Sequence, residues 1–129
     1  MREIKFRAWH KEEKIIGEVF GIDILHKEIF FSNGDVDCYG FSDFKYIELM
    51  QYTGLKDKNN KEIYEGDILF ESFGERYYKV IFENGSFRAE FEGDFEEYSF
   101  DLIDVVAQGC KVVGNIYENP ELIKEWVND

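Results

Sequence analysis

The residues of this chain that could do chemistry are few and scattered. There are two histidines, His10 and His26, and two cysteines, Cys38 and Cys110. A zinc site needs four such ligands, or three and a water, at short and regular spacings. These four stand in no such pattern, so no metal or cofactor is expected. The cysteines form no C-x-x-C pair, and free thiols are the expectation for them in a reducing compartment. No serine stands in G-x-S-x-G, which removes the common acyl-transfer signature. No G-x-x-x-x-G-K or G-x-G-x-x-G loop occurs, so nothing cradles a phosphate in the usual way. Asp35-Val36-Asp37 places two carboxylates two residues apart and could grip a divalent cation. A calcium site wants six or more oxygens, so these two read as turn and edge-strand acids. Glu65-Gly66-Asp67 and Glu92-Gly93-Asp94 read as turns, since glycine accepts positive φ and acids favour turn positions.

Charge is the strongest compositional signal. The 129 residues carry 28 acids against 15 Lys and Arg, a formal net charge of −13. Direct binding to nucleic-acid phosphates is not expected, because that interaction needs clustered bases. The charge is uneven. Residues 1–16 hold five bases and three acids, whereas residues 71–129 hold five bases and 14 acids. The densest stretch contains Glu90, Glu92, Asp94, Glu96, Glu97, Asp101 and Asp104, with no base from Glu90 to Asp104. Such a stretch keeps a protein soluble or meets a basic partner. The basic beginning and the acidic end could also attract each other between copies, which makes a homo-oligomer the expectation.

Aromatic residues make up 18% of the chain, with 13 Phe, 8 Tyr and 2 Trp. Tyr77, Tyr78, Phe82, Phe87, Phe91, Phe95, Tyr98 and Phe100 crowd one short stretch and are expected to fill a small core. Lys and Arg do not interleave with them, which argues against stacking on single-stranded nucleic acid. Trp9 breaks the alternation of its segment and is flanked by Arg7 and His10. It is the ring expected to reach a partner, with Arg7 placed to stack on it.

The elements that position these residues read mainly as β. Residues 4–9 alternate apolar with polar. Lys14 to Leu25 reads as one or two strands, with Gly17 and Gly21 as bends or bulges. Glu28-Ile29-Phe30-Phe31 is another, followed by the turn signal Asn33-Gly34-Asp35. Residues 41–51 are ambiguous, because Phe41, Phe44 and Ile47 fall at helical spacing; strand is expected from about Lys45. Gly54 to Tyr64 is a polar hairpin tip. Arg76–Glu83 and Ser86–Glu92 flank Asn84-Gly85, a strong two-residue hairpin signal. Phe87, Ala89 and Phe91 should share one face of the second strand, and Arg88, Glu90 and Glu92 the other. A strand over 95–100, a helical turn near 101–106, a strand over 112–117 and a short helix from Pro120, capped by Asn119, complete the chain.

The expected fold is therefore mainly β, with an N-terminal β region over 1–50. Residues 51–129 are expected to form an SH3-like small barrel ending in a short C-terminal helix. No internal repeat is evident. No apolar run approaches the ~20 residues of a membrane-spanning helix, and no apolar signal core follows Met1, so a cytoplasmic protein without membrane contact is expected.

Three blocks carry a resemblance. They are Arg2-Glu3-Ile4-Lys5-Phe6-Arg7-Ala8-Trp9, the stretch from Leu49-Met50-Gln51-Tyr52-Thr53-Gly54-Leu55 through Tyr64-Glu65-Gly66-Asp67-Ile68, and Val113-Gly114-Asn115-Ile116-Tyr117-Glu118-Asn119-Pro120-Glu121-Leu122. Together, and in this order, they resemble the YopX family of bacteriophage- and prophage-encoded proteins. His10, where that family tends to carry Asp, and Asn60, where Gly is usual, depart from the pattern. The resemblance implies a phage-derived, mostly β protein with an SH3-like portion. It implies no established activity, and it carries over no catalytic residue.

Three functions compete on this reading. One is a non-enzymatic binding or assembly protein acting through protein–protein contacts with a host or phage protein. Its candidate contact residues are Arg7, Trp9, Glu90, Glu92, Asp94, Glu96 and Glu97. The second is an acidic decoy that occupies a nucleic-acid-binding protein. Glu90 and Glu92, about 6–7 Å apart on one strand face, would there mimic successive phosphates. The third and weakest is a metal-dependent hydrolase built on Asp35 and Asp37.

Overall fold

A computed structural model describes residues 3–32, 39–92 and 97–124. Within them the chain is almost entirely antiparallel β. Its order is β1 (Phe6–His10), β2 (Ile15–Asp23), β3 (Glu28–Ser32), β4 (Tyr39–Asp43), a one-turn 3-10 helix (Phe44–Tyr46), β5 (Ile47–Lys56), β6 (Glu62–Tyr64), β7 (Asp67–Glu71), β8 (Arg76–Glu83), β9 (Ser86–Glu92), β10 (Glu97–Asp101), α1 (Leu102–Gln108), β11 (Lys111–Asn115) and α2 (Glu121–Lys124). The strands form two sheets, ordered β4-β3-β2-β1-β5-β6 and β10-β9-β8-β7-β11. The chain divides into two compact units, residues 1–52 and 53–129, with β5 crossing the boundary.

In the first unit, β1 to β4 run as a meander and β5 returns antiparallel to β1. On a flat sheet, four strand spacings would set β4 about 19 Å from β5. Only the one-turn helix Phe44–Tyr46 joins them, and four Cα steps reach at most about 15 Å. The sheet must therefore curl. Its inner face closes over Ala8, Ile29, Phe31 and Ile47, with Ile15, Val19 and Phe44 against them. The helix starts where the Asp43 carboxylate accepts the Lys45 N–H at 2.9 Å. That local cap explains why the helical spacing of Phe41, Phe44 and Ile47 yields one turn of helix between two strands.

The second unit repeats this path. β7 to β10 form a meander, α1 follows, and β11 returns antiparallel to β7. Its inner face holds Ile63, Leu69, Tyr78, Val80 and Ala89, with Leu102 and Val105 of α1 and Cys110. The shared strand path is a repeat of topology that the residues do not advertise. Two outer strands remain in each sheet, so the described residues contain no closed barrel.

Local signals explain the best-defined elements. Asn84 and Gly85 both have positive φ, at 53° and 85°, as a two-residue hairpin with the right twist requires. Gly21 sits at the register shift of the β2–β3 ladder, whereas Gly17 pairs regularly with Ala8. Lys14 to Leu25 thus contributes one bulged strand.

Candidate functional site

The two glycine-bearing motifs of the second unit are built as fasteners. Asp57, 7% exposed, takes the backbone N–H groups of Asn59 and Lys61 on Oδ1 and that of Val112 on Oδ2, each at 2.8 Å. Burial pushes this carboxyl up, but the three donors outweigh it and hold it below its ordinary value of 3.8. Asp67, fully buried, accepts the Tyr64 N–H at 2.8 Å, and Gly66 between them has φ +87°. The Gly66 N–H donates to the Val80 carbonyl, and the Gly66 carbonyl accepts the Ile116 N–H. Asn115 Oδ1 accepts the N–H groups of Tyr117 and Glu118, while its amide donates to Glu118 at 2.7 Å. The Asn119 side chain does not cap the last helix as expected. It turns back to accept the Asn115 N–H at 3.2 Å, and its backbone carbonyl takes the Leu122 N–H.

The titratable groups are likewise engaged. His10 Nδ1 accepts the Glu13 N–H at 3.0 Å, and its ring stacks with Tyr46 and Phe31. His26 pairs with Asp23 at 2.7 Å. Burial pushes the Cys110 thiol up to about 11. Among the described residues, no group of three or more His, Cys, Asp and Glu could hold a metal. Every buried side-chain nitrogen and oxygen among them has a hydrogen-bond partner. A cavity of about 190 Å³ opens on the first unit's core, lined by Ile29, Phe44, Ile47 and Leu49. It is apolar and offers shape without acid–base chemistry.

The candidate contact residues fall in separate places. Trp9 is 8% exposed, so its ring is largely withdrawn from solvent. Arg7 lies on the same strand face and donates its Nε–H to the Met50 sulfur at 3.4 Å. Glu90 is met by Lys79 across the β8–β9 ladder at 3.3 Å. Asp101 is met by Arg88 at 2.6 Å, and Arg88 also bonds the Ser99 hydroxyl and carbonyl. The acidic stretch thus borrows bases from neighbouring strands, which its own run of residues lacks. Phe87, Ala89 and Phe91 do face the core, opposite Arg88 and Glu90. Glu92 and Glu97 stand opposite each other in the β9–β10 register. Asp94, Glu96, Asp35 and Asp37 lie outside the described residues.

One surface was not anticipated. On the outer face of the first unit, Phe20 of β2, Phe30 of β3 and Phe41 of β4 form a row, with ring centroids 6.2 and 5.1 Å apart. Phe20 is 57% and Phe41 63% exposed. Phe30 and Phe41 are direct cross-strand partners; alternation from Val19, which faces Phe31, puts Phe20 on their face, and the bulge sets Gly21 opposite Phe30 in its stead. Adjacent Phe31 points the other way, into the core. The signal in the sequence was the pair Phe30-Phe31: a strand cannot bury both on one face. An exposed aromatic row of this kind marks an interaction surface more often than a lone exposed ring does.

Fold and site together define a two-unit, mainly β protein whose motifs are fasteners and whose first unit carries an outward-facing aromatic row. The chain belongs to the YopX protein family, whose profile matches residues 5–124. Among solved structures it is similar to protein EF1440 from Enterococcus faecalis. The two are 28% identical, with a TM-score of 0.55, over 95% of this chain and 99% of that one. No curated protein matches it. Among the described residues, no helix is long and apolar enough to cross a membrane.

Proposed function

We propose that this is a non-enzymatic binding or assembly protein, encoded by a phage or prophage and acting through protein–protein contacts. Each of its two units is a four-stranded antiparallel meander whose fifth strand returns beside the first, a path that resembles an SH3-like barrel without closing. The observation that carries the reading is the exposed row Phe20–Phe30–Phe41 on a sheet face. Aromatic side chains bring large contact area at low entropic cost, which is why they dominate docking surfaces. The carboxylates of the fasteners are taken up by backbone donors, which suits a structural role for these motifs. A decoy role for the acidic stretch receives less support, because Glu90 and Asp101 are already paired with Lys79 and Arg88.

The test is capture from a host lysate with the full chain and with Phe20→Ser and Phe41→Ser variants. A protein retained by the wild type and lost with both variants, at unchanged thermal stability, supports the reading. Identical capture by all three would refute it.

A further inference from the structure

Beside the aromatic row runs a second row. Two residues along the same face, Asp23 of β2 stands opposite Glu28 of β3, and Glu28 stands opposite Asp43 of β4. Facing side chains on adjacent strands lie about 5 Å apart, and like charges so placed destabilise a sheet. Relief is partial. Asp23 takes His26 at 2.7 Å, and Asp43 accepts the Lys45 N–H at 2.9 Å; Glu28 stands between these two carboxylates, with His26 close enough to feel its charge. On the other side of the aromatic row Glu18 stands between Ser32 of β3 and Arg7 of β1, so the unmatched acids are confined to the Asp23–Glu28–Asp43 end.

The second unit supplies an internal comparison. The equivalent outer face of β8, β9 and β10 pairs Lys79 with Glu90 and Arg88 with Asp101, around Ser99. That face sets two of its acids against bases, although Glu92 and Glu97 also oppose each other at its end, and among the described residues no aromatic row runs beside them. The strand path therefore does not demand an aromatic row beside an acidic one. The first unit keeps an arrangement that costs stability, as binding surfaces often do.

We propose that the outer face of β2, β3 and β4 docks a cationic, apolar segment of a partner protein. This rests on the reading of the chain as a binding protein and adds the chemistry of what it binds. Lys or Arg heads meet the Asp23–Glu28–Asp43 row, while their stems or neighbouring rings lie over Phe20, Phe30 and Phe41. An Arg placed over a Phe face gains a cation–π contact as well. Charge selects this occupant over the others. A second copy would bring the same acidic row and a further net charge of −13, and like-charged faces resist association. Nucleic acid and anionic lipid would meet the same repulsion.

The experiment uses the full chain and three short capped peptides: alternating lysine and phenylalanine, alternating lysine and serine, and alternating glutamate and phenylalanine. Binding is read by fluorescence anisotropy and by amide chemical shifts at low and moderate salt. The lysine–phenylalanine peptide should bind, moving amides in 18–23, 28–32 and 39–43. The lysine–serine peptide should bind about tenfold more weakly or worse, and the glutamate–phenylalanine peptide should not bind. Phe41→Ser and Glu28→Lys should each weaken the first peptide by about tenfold. Glu28→Gln should leave the melting temperature unchanged or raise it by up to about 3 °C, as relief of repulsion requires. Glu90→Gln should change nothing. Equal binding of the lysine–serine peptide would reduce the effect to attraction by net charge and overturn the proposal. So would unchanged binding by Glu28→Lys, or a concentration-dependent dimer that protects this face. If Phe41→Ser loses the captured lysate protein while Glu28→Lys keeps it, the docking role stands and the cationic partner falls.

Discussion

Asn119 sits in the space that any side chain at Gly114 would need. A Cβ built on Gly114 would lie 2.4 Å from Asn119 Oδ1 and 3.0 Å from its Cβ, while that same Oδ1 accepts the Asn115 N–H at 3.2 Å. The register of β11 against β7 shifts at this point, between Val112 and Gly114. The G-N-I-Y-E-N-P stretch is therefore an interlocked bulge and turn. Gly114→Ala should cost about 1–3 kcal/mol by overpacking. Removing the obstacle in the double variant with Asn119→Gly should cost less than the two single losses combined. Urea denaturation of the four proteins measures that coupling; strict additivity would show that the two residues do not compete for space.

Asp57 ties the β5–β6 hairpin tip to β11 through three backbone donors. Asn at this position keeps the shape but sets an amide N–H against one of them, so Asp57→Asn should lose about 2–3 kcal/mol at neutral pH. The folded carboxyl is held below 3.8. Its stabilising contribution is therefore complete above the unfolded value and disappears as pH falls through the folded one. The difference between wild type and Asp57→Asn should be largest at pH 7 and should narrow below about pH 4. A difference that stays constant down to pH 3 would assign the loss to packing.

His26 and Asp23 form an exposed pair on the edge of the proposed docking face. The Asp23 hydrogen bond, then its charge, raises His26 above 6.5, and the backbone and ring contacts of His26 lower Asp23 below 3.8. The histidine's contribution to the pair is complete below its unfolded value and is lost as pH rises through the folded one. The aspartate's contribution is lost at the acid end, as pH falls through its depressed value. An NMR titration should find the His26 imidazole titrating above its ordinary value, and Asp23→Asn should bring it back down. No change on substitution would separate the two groups in solution.

Cys110 is 0% exposed, and its thiol is raised to about 11 by burial first and by Asp57 next. The thiolate is the reactive form. In a Cys38→Ser background, the remaining thiol should resist alkylation at pH 8 in the folded protein and react fully in denaturant. Rapid labelling of the native chain would place Cys110 in a state far more open than the one described.

Local chemistry made some elements legible from the residues alone. Arg76–Glu83 and Ser86–Glu92 begin and end where they were expected, because Asn84-Gly85 fixes a turn without help from distant residues. The same holds for the mainly β character, the inward set Phe87, Ala89 and Phe91, and the family resemblance, all of which reside in short patterns. The ambiguous stretch 41–51 was different. Its break into β4, one helical turn and β5 depends on a sheet that must curl to bring β4 back to β5, and curl belongs to all five strands at once.

What the sequence determined by itself was the turn chemistry, the strand alternation and the total charge, since each depends on neighbours a few residues away. Tertiary structure alone decided which of Phe30 and Phe31 is buried, which bases answer Glu90 and Asp101, and that three acids from three strands share one row. These facts depend on register, and one bulge at Val19–Gly21 is enough to bring Asp23 onto the face of Glu28. A strand's two faces differ by a single residue step, so pairing, which no short stretch encodes, determines what the protein presents to a partner.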